Sequence, residues 1–210
     1  MSQRFTLALW LVLGCVRSAT AAPPPDDPQV YPVFIAWGSG FGSGCYLAIS
    51  NSVYLATAKH VLFDLNANPP VLTTTNAILQ TYYPDETGNL VPAKYLVDFA
   101  LLNRDGAVRT STNHDVALVK LFKMLPANRI NAPTLVQNPG VHELGTNYRV
   151  TSFKADSFAQ KNDVRTGCDI FMFGYPAAIT VPSQTDLSPD QPLLRKGIVS
   201  GKNTKAGLII

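Results

Sequence analysis

The sequence predicts an all-β fold, and three observations carry that prediction. Apolar runs of about five to eight residues recur along the chain, rich in Val, Ile, Tyr, Phe and Thr. Clusters of Gly, Pro, Asn, Asp and Ser punctuate them, such as residues 66–70, 84–89 and 138–140. No helical periodicity is sustained after the first 21 residues. Short β-branched and aromatic runs between turn residues are the pattern of a sandwich or barrel. With 210 residues and 46% hydrophobic content there is ample material for a core. Only 15% of residues are charged, against roughly 25% in an average globular protein, which excludes a disordered or polyelectrolyte chain.

Residues 1–21, MSQRFTLALWLVLGCVRSATA, start with one Arg, continue apolar from Phe5 to Val16 and end in Ala-Thr-Ala. That order is expected of a secretory signal peptide, cleaved near Ala21. Twelve apolar residues are too few to span roughly 30 Å of hydrocarbon, so no membrane contact is expected after cleavage. The chain is therefore expected to be exported, periplasmic or secreted. A lipoprotein signal ending at Cys15 is the weaker fit, because Leu13 suits it poorly and a good cleavage site follows. Without Arg4 and Arg17 the basic residues fall from 17 to 15 against 14 acids, so the formal +3 shrinks to about +1. That balance gives no basis for a nucleic-acid partner.

Residues 22–29, which open with APPPDDP, form a Pro-stiffened lead-in. Strands are then expected at residues 30–37, 45–49, 53–57, 77–83, 95–102, 116–122, 134–137, 170–175 and 194–200, with one helical turn around 58–63. Residues 38–44, GSGFGSG, fit neither Gly-x-Gly-x-x-Gly nor a phosphate loop ending in Gly-Lys-Ser/Thr, and are expected to be a loop leading into a strand. A midpoint at residues 126–133 divides the chain into 30–125 and 126–210, each able to supply strands for one of two packed barrels. Tyr82, Tyr83 and Tyr175 are expected in the core or in strand pairs. Cys45 and Cys168 remain after signal removal, and an oxidising compartment permits one bridge, but sequence alone leaves their pairing open. No Cys-x-x-Cys occurs, the three His residues lack zinc-ligand spacing, and His114 beside Asp115 on a strand would point to the opposite face, so neither a metal nor another cofactor is expected.

Two segments carry chemistry. In residues 54–61, YLATAKHV, an apolar strand runs into His60; in residues 114–121, HDVALVKL, Asp115 opens one. A His at a strand end can serve as a general base near neutral pH. A carboxylate that accepts from the imidazole fixes its tautomer and stabilises the imidazolium formed on proton transfer. Asp98 is the rival carboxylate, since it also lies in an apolar run, and the Asp-Val-Ala-Leu context favours Asp115.

Residues 42–47, GSGCYL, followed by YLATAKHV and HDVALVKL, resemble the trypsin-like serine peptidases of the chymotrypsin fold, in their exported bacterial form. Residues 171–176, FMFGYP, and 194–201, LRKGIVSG, look like second-barrel strands of that group. The resemblance spans roughly residues 30–205, thinly between motifs. It implies a double β-barrel, His60 as general base, Asp115 as its orienting carboxylate, and a protein or peptide substrate hydrolysed by a His-Asp-Ser triad. The nucleophile of that family stands in Gly-x-Ser-Gly after both His and Asp, and this chain contains no such segment. Ser39, Ser43 and Ser200 each precede a Gly, but Trp37, Phe41 and Ile198 stand where the first Gly belongs. The expectation is a peptidase cut short before its nucleophile and the donors of its oxyanion hole, with an incomplete second barrel and no activity alone. The position after His60 that often holds a cysteine in this family is Val61, so Cys45 cannot form that local bridge. The alternative is a secreted, non-catalytic β-barrel binding module built on the same scaffold.

Overall fold

In the computed structural model the described residues are 30–38, 40–125, 135–145, 150–155, 166–175, 193–199, 202–203 and 208–209. The signal peptide and the lead-in expected at 1–29 lie outside them, as do Ser39 and Ser200. Alternating burial, more than alternating residue type, marks the central strands. In β6 (Asn76–Pro84) and β7 (Leu90–Asp98), Ala77, Leu79, Tyr83, Ala93, Tyr95 and Val97 turn inward and their neighbours largely outward. Before these come β1 (Pro32–Trp37), β2 (Gly40–Ile49), β3 (Ser52–Thr57), a short helix α1 (Lys59–Leu62), and the small pair β4 (Phe63–Asp64) and β5 (Val71–Leu72). After them come a second helix α2 (Phe99–Arg104), β8 (Val108–Thr110), β9 (Ala117–Met124), β10 (Leu135–Gln137), β11 (Val141–Glu143) and β12 (Phe153–Lys154).

The strands form one sheet ordered β10-β9-β3-β2-β1-β6-β7-β11, with β8 beside β9, and it curls into a largely antiparallel half-barrel. Val33, Ile35, Tyr46, Leu55, Leu79, Val119 and Leu121 fill its concave side, and the Tyr46 and Tyr95 rings meet Phe122 edge-on. Among the described residues β12 adds the one parallel pairing, on residues Leu47 and Ala48 of β2, which extend past the end of β1.

Two local expectations are corrected. The glycine run is strand rather than loop, since β2 begins at Gly40. A Cβ at Gly40, Gly42 or Gly44 would stand 2.6–2.7 Å from the Trp37 indole, the Val61 side chain or the Ala56 carbonyl, so close approach by neighbours explains these glycines. Residues 95–102 are not one strand. Asp98 ends β7, and its carboxylate accepts the Leu101 N–H at 2.8 Å, capping α2, which buries Phe99 and Leu102 on one face. The midpoint expected at 126–133 lies outside the described residues. β10 pairs with β9 and β11 with β7, so residues 135–143 run between the two ends of the sheet and cover its open edges. The Asn138 side chain donates to the Lys120 carbonyl at 2.7 Å, and Gly140, in the left-handed region, accepts from the Asp98 N–H at 2.8 Å.

Further along, β13 (Asp169–Gly174) and β14 (Leu193–Ile198) form an antiparallel hairpin, and β15 (Lys202–Asn203) pairs with β16 (Leu208–Ile209). Tyr175, after β13, packs its ring 4.9 Å from Phe34, and its hydroxyl donates to the Pro32 carbonyl. Tyr83 is also buried, and the Tyr82 hydroxyl accepts from the Gln80 side chain. Among the described residues no helix is long and apolar enough to cross a membrane.

Candidate active site

β3 and β9 pair with Thr57 opposite Ala117, so whatever follows β3 lies beside whatever precedes β9. His60 is three residues beyond Thr57 and Asp115 two before Ala117. The register therefore joins two side chains 55 residues apart in sequence. His60 Nδ1 stands 2.6 Å from Asp115 Oδ2, and the His60 backbone N–H donates to Asp115 Oδ1 at 2.9 Å. One carboxylate thus grips both the ring and the backbone of the same residue.

That grip sets the protonation pattern. Hydrogen bonds from the His60 ring, then from the His60 amide, hold the Asp115 carboxyl below its ordinary range, with a smaller contribution from the Lys59 amide. An ionised carboxylate only accepts, so the proton between the two groups belongs to Nδ1. Nε2 of the neutral ring is then the open acceptor, as a general base requires. The pair is open to water, with side-chain exposures of 64% for His60 and 47% for Asp115.

The support beneath His60 is buried. α1 has Ala58 at its start, which cannot cap with its side chain, and the Asp115 carboxylate takes the His60 amide in its place. At the other end the buried Thr74 hydroxyl donates to the Val61 carbonyl at 2.8 Å, and the Thr73 and Thr74 amides donate to Leu62. Val61 lies over the bare face of Gly42, and Thr57 donates its hydroxyl to the Ser43 carbonyl. The other sequence candidates have different duties. Asp98 caps α2, Ser43 Oγ accepts the Tyr175 N–H at 3.0 Å, and the His114 N–H donates to Ser111 Oγ at 3.1 Å. Cys45 and Cys168 are free thiols, and burial pushes the Cys45 thiol up. Among the described residues no three His, Cys, Asp or Glu side chains gather to hold a metal ion. An open depression of about 300 Å³ lies elsewhere, between Leu102, Asp105, Lys120 and Asn138, and neither His60 nor Asp115 lines it.

Thr74, the seat of Val61 on Gly42, and the bond from the Lys59 ammonium to the Ser111 carbonyl were not singled out from sequence. The Thr-Thr-Thr run at 73–75 gives no sign of which hydroxyl turns inward, and the other two depend on partners distant in the chain. Comparison with models of protein families, with characterised proteins and with solved structures returns no match.

Proposed function

We propose that this chain carries the base and carboxylate of a trypsin-like serine endopeptidase, within a chymotrypsin-like double barrel whose second barrel is incomplete in residues 1–210. One observation carries the reading: the two-point hold of Asp115 on His60, which leaves Nε2 as the proton acceptor. On this reading His60 Nε2 takes the proton of a serine hydroxyl as its oxygen adds to the scissile carbonyl carbon. The imidazolium, steadied by Asp115, returns that proton to the leaving amine as the C–N bond breaks. Water repeats the sequence on the acyl-enzyme. The serine stands in a Gly-x-Ser-Gly segment that residues 1–210 do not contain, and the substrate is a protein or peptide met after export.

The test is hydrolysis of a casein-like substrate by the product of the whole reading frame. Activity should require a Gly-x-Ser-Gly serine encoded beyond residue 210. His60→Ala should lower turnover by several orders of magnitude, as loss of a triad member does, and Asp115→Asn should also be severe. A fluorophosphonate reagent should label that serine and no serine within residues 1–210. Activity indifferent to His60→Ala overturns the proposal. A second reading, an exported binding module, is favoured by the missing Gly-x-Ser-Gly segment. A reading frame that stops at Ile210 would support it, because fold alone does not supply chemistry.

A further inference from the structure

Asp115 rides on the loop that joins β8 to β9, and its carboxylate is aimed from one hub. Thr110 opposes Ala117 at the root of the loop, and the Ser111 N–H donates to the Val116 carbonyl at 3.0 Å. Within the loop the Val116 N–H donates to the His114 carbonyl at 2.9 Å, a three-residue turn with Asp115 at its centre. Ser111 Oγ accepts the His114 N–H at 3.1 Å, bracing that turn from below. The Ser111 carbonyl is left to face α1, where the half-buried Lys59 ammonium donates to it at 3.1 Å. Amide, hydroxyl and carbonyl of Ser111 are all engaged, and the third bond crosses to the residue next to His60.

We propose that Lys59 and Ser111 are positioning residues that clamp the Asp115 loop to α1 and so fix the Asp115–His60 geometry. The inference rests on the peptidase reading of His60 and Asp115. Without the clamp, the only polar ties from the loop to α1 among the described residues are those of the Asp115 carboxylate itself, which is half exposed to competing water. Lys59 supplies a charge-assisted bond to a backbone carbonyl, and such a bond is stronger than a neutral one. The lysine therefore acts through Asp115 and touches no reacting atom.

The experiment uses the 1–210 chain labelled with ¹⁵N. Two quantities are read by NMR: the tautomer of the His60 ring, and exchange of the His60 amide that donates to Asp115 Oδ1. The wild type should show the Nδ1–H tautomer and a protected His60 amide. Lys59→Met should speed exchange of that amide by about tenfold, in line with weakening one hydrogen bond to a charged group, while Leu55 and Val119 in β3 and β9 keep their protection. The ring should shift toward the Nε2–H tautomer that a free imidazole side chain prefers. Lys59→Arg, which keeps a donor of similar reach, should restore both signals. Ser111→Ala, which removes the brace but keeps the carbonyl, should move them in the same direction, and serves if Lys59→Met fails to fold. Unchanged His60 signals in both Lys59→Met and Ser111→Ala overturn the clamp alone. A wild type that lacks the Nδ1–H tautomer and amide protection overturns the His60–Asp115 reading on which the clamp rests.

Discussion

Replacing Gly42 with Ala places a methyl carbon 2.7 Å from Val61 Cγ1 and 2.9 Å from Cγ2. Carbon atoms rest about 3.5–4.0 Å apart, so roughly 1 Å of movement is demanded between β2 and α1. Val61 is 7% exposed and follows His60 directly, so it has little room to yield. Overpacking of this kind costs about 1–3 kcal/mol. An unobstructed Gly→Ala change would instead stabilise by about 0.4–1 kcal/mol, by restricting the unfolded chain, so the sign of the effect is itself diagnostic. Val61→Ala alone removes two buried methyl groups at about 0.8 kcal/mol each, with a further cost for the void. In the double variant the new methyl occupies the vacated space. The two losses should then fall short of additivity by about 1 kcal/mol or more. Urea unfolding followed by tryptophan fluorescence measures all four proteins; with a slope of about 2 kcal/mol/M, Gly42→Ala should lower the midpoint by about 0.5–1.5 M. Strict additivity, or a Gly42→Ala protein as stable as the wild type, would refute this packing of α1 on β2.

Other perturbations follow from the same geometry. Thr74→Val leaves the Val61 carbonyl without its buried donor and should cost about 1–3 kcal/mol in urea unfolding, with β3 and β9 intact. Tyr46→Phe should be neutral or stabilising by up to about 1 kcal/mol in the same assay, because the buried Tyr46 hydroxyl finds no partner among the described residues. Asp98→Ala should cost about 1 kcal/mol by uncapping α2, whereas Asp98→Asn, which still accepts from Leu101, should be near neutral in stability and in the His60 ring signals. The Asp115 carboxyl is held below its ordinary value of about 3.9, so the unfolded chain binds its proton more readily. Its stabilisation is present above that value and is lost as pH falls through the folded one. The stability difference between wild type and Asp115→Asn should therefore shrink below about pH 4, and a difference that grows on acidification would contradict the hold on His60.

How far the sequence reveals this molecule depends on how local each cause is. Apolar runs between turn residues are a local signal, so β6 was legible at 77–83, whereas only the end of β7 was, because Val91-Pro92-Ala93-Lys94 carries no β-branched or aromatic run. His60 and Asp115 were singled out through the family resemblance of their segments, and the pairing of β3 with β9 is what brings them together. Asp98 stood as a rival because strand context does not show where a carboxylate turns. Its capture of the Leu101 amide, three residues on, starts a helix where apolar content suggested more strand. The glycines at 40, 42 and 44 look like a loop because composition marks freedom, whereas here they answer to the bulk of Trp37, Val61 and the Ala56 carbonyl. Those neighbours are set by tertiary structure, and no local pattern announces them.

The exposure of the His60–Asp115 pair bears on what else the chemistry needs. In water an ion pair at contact gains little, so the strength of this arrangement lies in geometry rather than in charge. Geometry is what the structure supplies in quantity: a register that aligns two strand ends, a carboxylate bound to both the ring and the amide of one residue, and Val61 seated on Gly42 behind it. Proton transfer at His60 would be stronger in a covered site, where fixed dipoles replace water. Tyr175 already draws the segment after β13 onto Phe34 and Ser43, and Ser43 also receives the Thr57 hydroxyl from the strand that leads to His60. On the proposed reading, a second layer of strands would attach there, beside the strand end that carries His60. The division of labour in the proposed enzyme follows: the half-barrel orients the proton acceptor, and what packs at Tyr175 and beyond must bring the nucleophile and exclude water.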